Sequence, residues 1–346
     1  MNLIAELLVA ALASLQDSPT VTLDQSAPVE THLAEIQRAT GGKIKVHLDE
    51  PGKAVTVKVK DASFFQALDA VCRAHGGVTY FGRTFAGPDG AVDLRPEPWV
   101  EYPVQYSGPF RLTVSEMVRV DQQSSVGSRA WTRVMLLVFG PPWIGVSEES
   151  GAKADFQVLE AKDAEGRDVL PPANDADPEE RVRVAAYPDM ANYESSNSAR
   201  KALRLRAFDI DRGLSILKGK VVLKVAEAGD VSLAPKAGES VAGDSGILKI
   251  DTVSEHSKSI DGTTWRIQLT FSPKDPKRKL RSLVEDGVGD GNGTWRELRL
   301  PKQGLTFEAV IGPLPQLPAA LIFRVRKGER SVEAPFEFRN LTLKKG

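Results

Sequence analysis

Between Val21 and Tyr80 the apolar positions follow two periods, one of two residues and one near 3.6. Val21 and Leu23 alternate with polar neighbours and predict a short strand. Val29, Leu33, Ile36 and Thr40 recur at i, i+4, i+7 and i+11, one face of a helix, with Glu30, Glu35 and Arg38 toward water. Pro28 suits the first turn of that helix because its φ is already fixed, and Gly41-Gly42 supplies a left-handed stop. Ile44 and Val46 begin a second strand, and Glu50-Pro51-Gly52 reads as a turn. Val55, Val57 and Val59 form a third strand with Thr56, Lys58 and Lys60 outward. A second helix, capped by Ser63, carries Phe65, Leu68, Val71 and Cys72 on its apolar face and stops at Gly76-Gly77. Val78 to Phe81 predicts a closing strand. The whole reads β-α-β-β-α-β, an α+β module over 20–97.

Beyond it the helical period disappears. Residues 82–104, rich in proline and glycine, predict one strand around Ala91 to Leu94 and then a linker. Strands are predicted at Pro109 to Val114, Trp131 to Phe139, Phe156 to Leu159, Leu203 to Phe208 and Leu217 to Val225. Residues 173–200 are polar, with DADPEE at 175–180, and predict a long loop. Further strands fall at Ile247 to Ile250, Trp265 to Phe271, Trp295 to Leu300, Leu305 to Ile311, Ala320 to Val325 and Ala334 to Leu343. Short strands at this spacing argue for β-sandwiches. The predicted fold class is therefore an α+β N-terminal module followed by mainly-β structure, in one or two β-sandwich-like domains at 105–228 and 230–346.

The first of these patterns resembles the short N-terminal domain of secretins and TonB-dependent receptors, the STN domain. The resemblance rests on Leu23, Pro28, Val29, Leu33, Ile36, Gly42, Ile44, Val46, Val55, Val57, Val59, Phe65, Ala67, Leu68, Val71, Gly77 and Tyr80. It implies a periplasmic module that makes protein–protein contacts. It implies neither channel nor receptor activity, because the chain lacks the run of alternating membrane strands with aromatic girdles. The remainder is similar in layout to exported, uncharacterised proteins of planctomycete-type bacteria, through Gly108-Pro109-Phe110, the turn from Asp163 to Pro171, and Ile216 to Gly219.

Composition narrows the classes. A chain of 346 residues with 41% apolar and 26% charged side chains is globular. Its net charge of −1 provides no basic field for nucleic acid. The local run Lys274, Lys277, Arg278, Lys279 and Arg281 reads as a solvated loop or strand edge. A single cysteine, Cys72, excludes an intrachain disulfide and any zinc or iron–sulfur site built on cysteines. The apolar run from Leu3 to Leu15, ending in small residues, fits a signal peptide over 1–17. The same run also fits a helix packed on the first domain. It is shorter than the roughly 20 residues a bilayer span requires. Export to the periplasm or cell envelope is the expectation, with an envelope protein as partner, no nucleic acid and no stable transmembrane span.

No catalytic constellation emerges, so no catalytic or cofactor-binding residue is assigned. The best metal candidate is the glycine-rich loop Asp286, Asp290, Asn292 and Glu297, which offers oxygens of the kind calcium prefers. Asn292-Gly293 equally signals a hairpin turn. Apart from calcium there, no cofactor is expected. His32, His47, His75 and His256 follow no metal-binding spacing and read as surface residues. Cys72 with His75 is too local for a dyad, and Asp209 with Asp211 on one strand face lacks a third group. The chain thus reads as a non-enzymatic interaction or scaffold protein. The alternative is a carbohydrate-binding or hydrolytic envelope protein, for which Trp99, Trp131, Trp143, Trp265 and Trp295 would form an exposed row.

Overall fold

The computed structural model describes residues 18–48, 52–80, 91–124, 127–146, 154–171, 198–242, 246–274, 284–289, 295–297 and 306–343. Residues 1–17, expected to be a signal peptide, lie outside them. The described chain is mostly β-strand, arranged in several sheets, with two helices. None of its helices is long and apolar enough to cross a membrane.

Strand β1 (Val21–Pro28) pairs antiparallel with β3 (Ala54–Ala62). Helix α1 (Val29–Thr40) follows at once, and Pro28 stays extended at φ −53° and ψ 147°, so it precedes the first turn instead of occupying it. Gly41 closes the helix at φ 72°, its N–H donating to the Gln37 carbonyl at 2.8 Å. Helix α2 (Phe64–His75) begins where the Ser63 N–H donates to the Gln66 side chain at 2.8 Å, and ends at left-handed Gly76. Strand β2 (Ile44–Val46) pairs in parallel with β4 (Val92–Leu94). Of the closing strand expected at 78–81, the described residues Val78–Tyr80 show one antiparallel bridge, between Thr79 and Arg95, and β4 is the strand that pairs with β2. The apolar faces of both helices meet Leu23, Val57 and Leu94 in one core.

A second core lies between two larger sheets. The first, in the order β10-β7-β6-β5, joins β5 (Val104–Ser107), β6 (Phe110–Ser124), β7 (Gly127–Phe139) and β10 (Ser198–Arg206). The other is built on β11 (Leu214–Leu233) and β18 (Leu321–Leu341). On β11 lie β8 (Ile144–Val146) and β9 (Ala154–Asp163), and on β18 lies β15 (Val284–Gly289), which also carries β16 (Trp295–Glu297). Leu112, Leu136 and Val138 of one sheet pack with Phe156, Leu217 and Phe336 of the other. Most of the loop expected at 173–200 lies outside the described residues, and its last three residues begin β10.

A third core gathers Leu248, Ile267, Phe271 and Ile311 from the sheet of β12 (Ser240–Ala242), β13 (Gly246–Ser259), β14 (Gly262–Pro273) and β17 (Thr306–Leu314). The boundary expected near 230 falls inside β11. The antiparallel register of β11 and β18 runs from Leu214 opposite Leu341 to Leu233 opposite Leu321. One end of this ladder feeds the second core and the other the third. The strands predicted at 320–325 and 334–343 are therefore a single strand, which brings Leu341 back to the sheet holding β9.

Gly219 shows how closely this ladder is packed. A Cβ there would sit 2.1 Å from the Gln157 carbonyl oxygen and 2.8 Å from the Phe336 ring. Gly219→Val is expected to cost about 1–3 kcal/mol through backbone displacement. A denaturant titration checks it: the midpoint falls with an unchanged slope, and an unmoved midpoint contradicts the packing described.

Candidate functional site

Alternation along β6 explains where the site forms. Phe110, Leu112 and Val114 point into the second core, so Arg111 and Thr113 must point to the opposite face. That face is not open to water. Helix α2 and its flanks cover it, and Phe139 of β7 joins the core of the helices, with Leu137 packed against it. A sheet covered on both faces reads as an unbroken apolar run, which accounts for VMLLVF, Val134 to Phe139, in β7.

Arg111 enters this second interface with its side chain 1% exposed, and Asp69 of α2 meets it, also at 1%. The Asp69 carboxylate accepts Nε–H of Arg111 at 2.7 Å and the Tyr106 hydroxyl at 2.6 Å. The Tyr80 hydroxyl donates to its other oxygen. Three donors from three separate stretches thus converge on one carboxylate. The guanidinium carbon also lies 5.7 Å from the Tyr80 ring centre and 5.9 Å from that of Phe139. Such a pair is tolerated away from water only when both charges are closely matched and hydrogen-bonded.

The titration behaviour follows from this packing. Burial pulls the Arg111 pKa down, but Tyr80 and Asp69 together outweigh it and the net shift is upward. Burial first, and the Asp69 charge second, push the Tyr106 phenol well above its ordinary value. Burial likewise raises Tyr80, against a smaller pull from Arg111.

The chain between β4 and β5 is fastened along α2. The Trp99 N–H donates to the Gly76 carbonyl at 2.9 Å. Glu101 takes Arg73 through two hydrogen bonds, at 3.0 and 2.7 Å, and Trp99 Nε1 at 2.9 Å. Its bond to Arg73 is the main reason that the Glu101 carboxyl titrates lower than usual. The segment expected to be a linker up to 104 is therefore docked in its described part, and Val104–Ser107 is a strand of the body. Trp143, in the turn before β8, packs edge-to-face on Phe64 at 5.6 Å and touches both cores. Gly42 permits this, since a Cβ would stand 2.6 Å from the Phe64 ring.

The residues singled out in the sequence are not gathered here. Asp286 lies on β15 and Glu297 on β16, and the pairing of Gly287 with Glu297 makes this stretch a β-hairpin. Asp290 and Asn292 lie outside the described residues. No group of three or more His, Cys, Asp or Glu residues suited to a metal ion occurs among the described residues. Asp209 and Asp211 share a turn, not a strand: the Asp209 carboxylate accepts the Asp211 N–H at 3.0 Å, and left-handed Gly213 leads into β11. Cys72 is buried, and that burial pushes its thiol up, opposite to what a nucleophile needs. His75 Nδ1 accepts the Gly77 N–H at the helix end.

His32 is a correction. It is 0% exposed, because it lies on the α1 face between Val29 and Ile36, with Nε2 3.1 Å from the Val55 carbonyl. His47 is exposed beside Asp93, and His256 is exposed beside Arg266.

Sequence reasoning missed Asp69 and Arg111. The signal was present in part. Asp69 falls four residues after Phe65 and three before Cys72, on the apolar side of the predicted helix. With three donors already on the carboxylate and both charges out of contact with water, the arrangement anchors one region to another. It offers no face to a substrate.

Two measurements check this. Asp69→Ala strands the Arg111 guanidinium and is expected to cost about 3–5 kcal/mol, whereas Asp69→Leu with Arg111→Met recovers most of it. Equal losses in the single and double variants would contradict the anchor. Tyr80 and Tyr106 stay protonated in the folded protein above pH 10, while the unfolded chain releases their protons. Their contribution is complete below about pH 10 and is lost as pH rises further. Absorbance titration of the phenols should show these two ionising only with alkaline unfolding, and reversible ionisation near pH 10 would contradict it.

Compared with protein-family models, curated proteins and solved structures, the chain matches none.

Proposed function

We propose that this chain is an exported, non-catalytic interaction protein of the bacterial envelope, with an STN-like docking module carried on a body of β-sandwiches. The single observation that supports the reading most is the use made of α2. The face of it that carries Asp69 is consumed by the contact with Arg111 of the chain's own β6. The β1–β3 sheet is left to be offered to a partner. Among the described residues β1 pairs only with β3, and Thr22, Asp24, Gln25 and Ser26 of β1 are exposed. An extended segment of a partner protein adds to such an edge through backbone hydrogen bonds, with side-chain contacts setting specificity. Holding the sheet on a rigid body lowers the entropic cost of that addition.

The sugar-binding alternative calls for a row of exposed tryptophans. Trp131 is 6% exposed, and Trp99, Trp143 and Trp265 are each partly buried against one of the cores, so the four form no such row. The side chain of Trp295 lies outside the described set.

Site-specific photocrosslinking in native envelopes tests the docking reading. A photoreactive side chain at Thr22 or Ser26 is expected to capture one and the same envelope protein, and one at Thr252 on β13 is expected not to. Capture from Thr252 alone, or from none of the three, overturns it.

A further inference from the structure

Alternation along β10 turns one amine toward the inside of the sandwich. Ala199, Leu203 and Leu205 are buried in the second core, so Lys201, between Ala199 and Leu203, shares their inner face. The register sets it opposite Leu136 of β7, which is 0% exposed. Strand β9 of the other sheet approaches β10, its Phe156 buried in the same core and its Ala154 packed against it. Lysines on inner faces ordinarily pair with a carboxylate or run their amine out to water. Among the described residues no hydrogen bond or ion pair holds the Lys201 amine. Lys218 and Lys220, on the outer side of the sandwich, are by contrast held by Glu337 and Glu333.

The side chain is half-buried, so it is partly desolvated yet reachable. Burial pulls its pKa below the ordinary lysine value, against a smaller upward pull from Asp155 of β9. Such surroundings disfavour the ammonium form and leave a lone pair on the nitrogen. We propose that Lys201 is a covalent modification site, whose amine takes aliphatic aldehydes as imines. The nitrogen adds to the carbonyl carbon, and both of its protons then leave with the carbonyl oxygen as water. A C=N bond replaces C=O, and nothing is oxidised or reduced. Ala199, Leu203 and Leu136 suit the hydrocarbon tail of the aldehyde and hold back the water that would reverse the step. A carbamate from carbon dioxide would instead set an anion in an apolar strip near Asp155, which burial opposes. The site is independent of the docking edge proposed above.

Reductive trapping on the full chain tests it, with hexanal as the aldehyde, cyanoborohydride to reduce the imine, and peptide mass spectrometry to place the label. At about pH 7 ordinary lysines are almost wholly ammonium, and Lys201 is expected to be labelled about tenfold faster than the exposed Lys60 and Lys249. At about pH 10 that advantage should shrink, because the other amines lose their protons too. Asp155→Asn should speed labelling of Lys201 at the lower pH and leave Lys60 and Lys249 unchanged, since it removes the charge that favours the ammonium. Labelling of Lys201 no faster than that of Lys60 and Lys249 at the lower pH would overturn the proposal. An advantage that persists undiminished at the higher pH would overturn it too, as mere accessibility would then account for it.

Discussion

Around Asp69, three groups that are distant along the chain share one carboxylate. Tyr80 arrives just after α2, Tyr106 from β5 and Arg111 from β6. Apolar contacts such as Phe64 on Trp143 supply area but tolerate small shifts of one element against another. The polar cluster does not. If α2 slides or rotates against the sheet, a buried charge and two hydroxyls lose their partners together, and each loss is costly away from water. Compared with an apolar substitute the cluster adds little net stability; what it supplies is one orientation.

The rest of the architecture follows from that seating. With α2 in place the first sheet is covered on both faces where β6 and β7 begin and end beside it, at Phe110–Val114 and Val134–Phe139, and there the strands are mostly apolar. The chain from Trp99 to Ser107 lies along the helix because Glu101, Trp99 and Tyr106 all find partners there. The long β11–β18 ladder then carries the same rigid body into the third core. On the proposed reading, a partner bound at β1 is held in fixed geometry relative to the two larger sheets.

Much of this was legible from periodicity. Both helices, β3, β7 and parts of β13, β14 and β17 lie where period-3.6 or period-2 patterns and glycine stops put them, while β12 was not anticipated. The misses have physical causes. Asp69 and Arg111 are charged residues at positions where solvent is the ordinary expectation, and only a partner some forty positions away reverses that. His32 misled in the same way, its burial resting on the Val55 carbonyl. The continuity of β18 was hidden because its middle stretch, from Arg326 to Glu333, is rich in charge and reads as a break, although its backbone stays paired with β11 across a register shift there. Asp209 and Asp211 alternate like strand residues, yet the Asp209 side chain closes a turn on the Asp211 N–H. That is a local competition that sequence spacing does not reveal.

The central claim is that the N-terminal region and the body form one cooperative unit held by the Asp69 cluster. Native-state hydrogen exchange measures it directly. The amides of α2 and those of β6 between Phe110 and Val114 should exchange through the same opening, with equal protection free energies and equal denaturant dependence. If the amides of α2 exchange through a separate opening of lower free energy while β6 stays protected, the two regions are independent and the account is wrong.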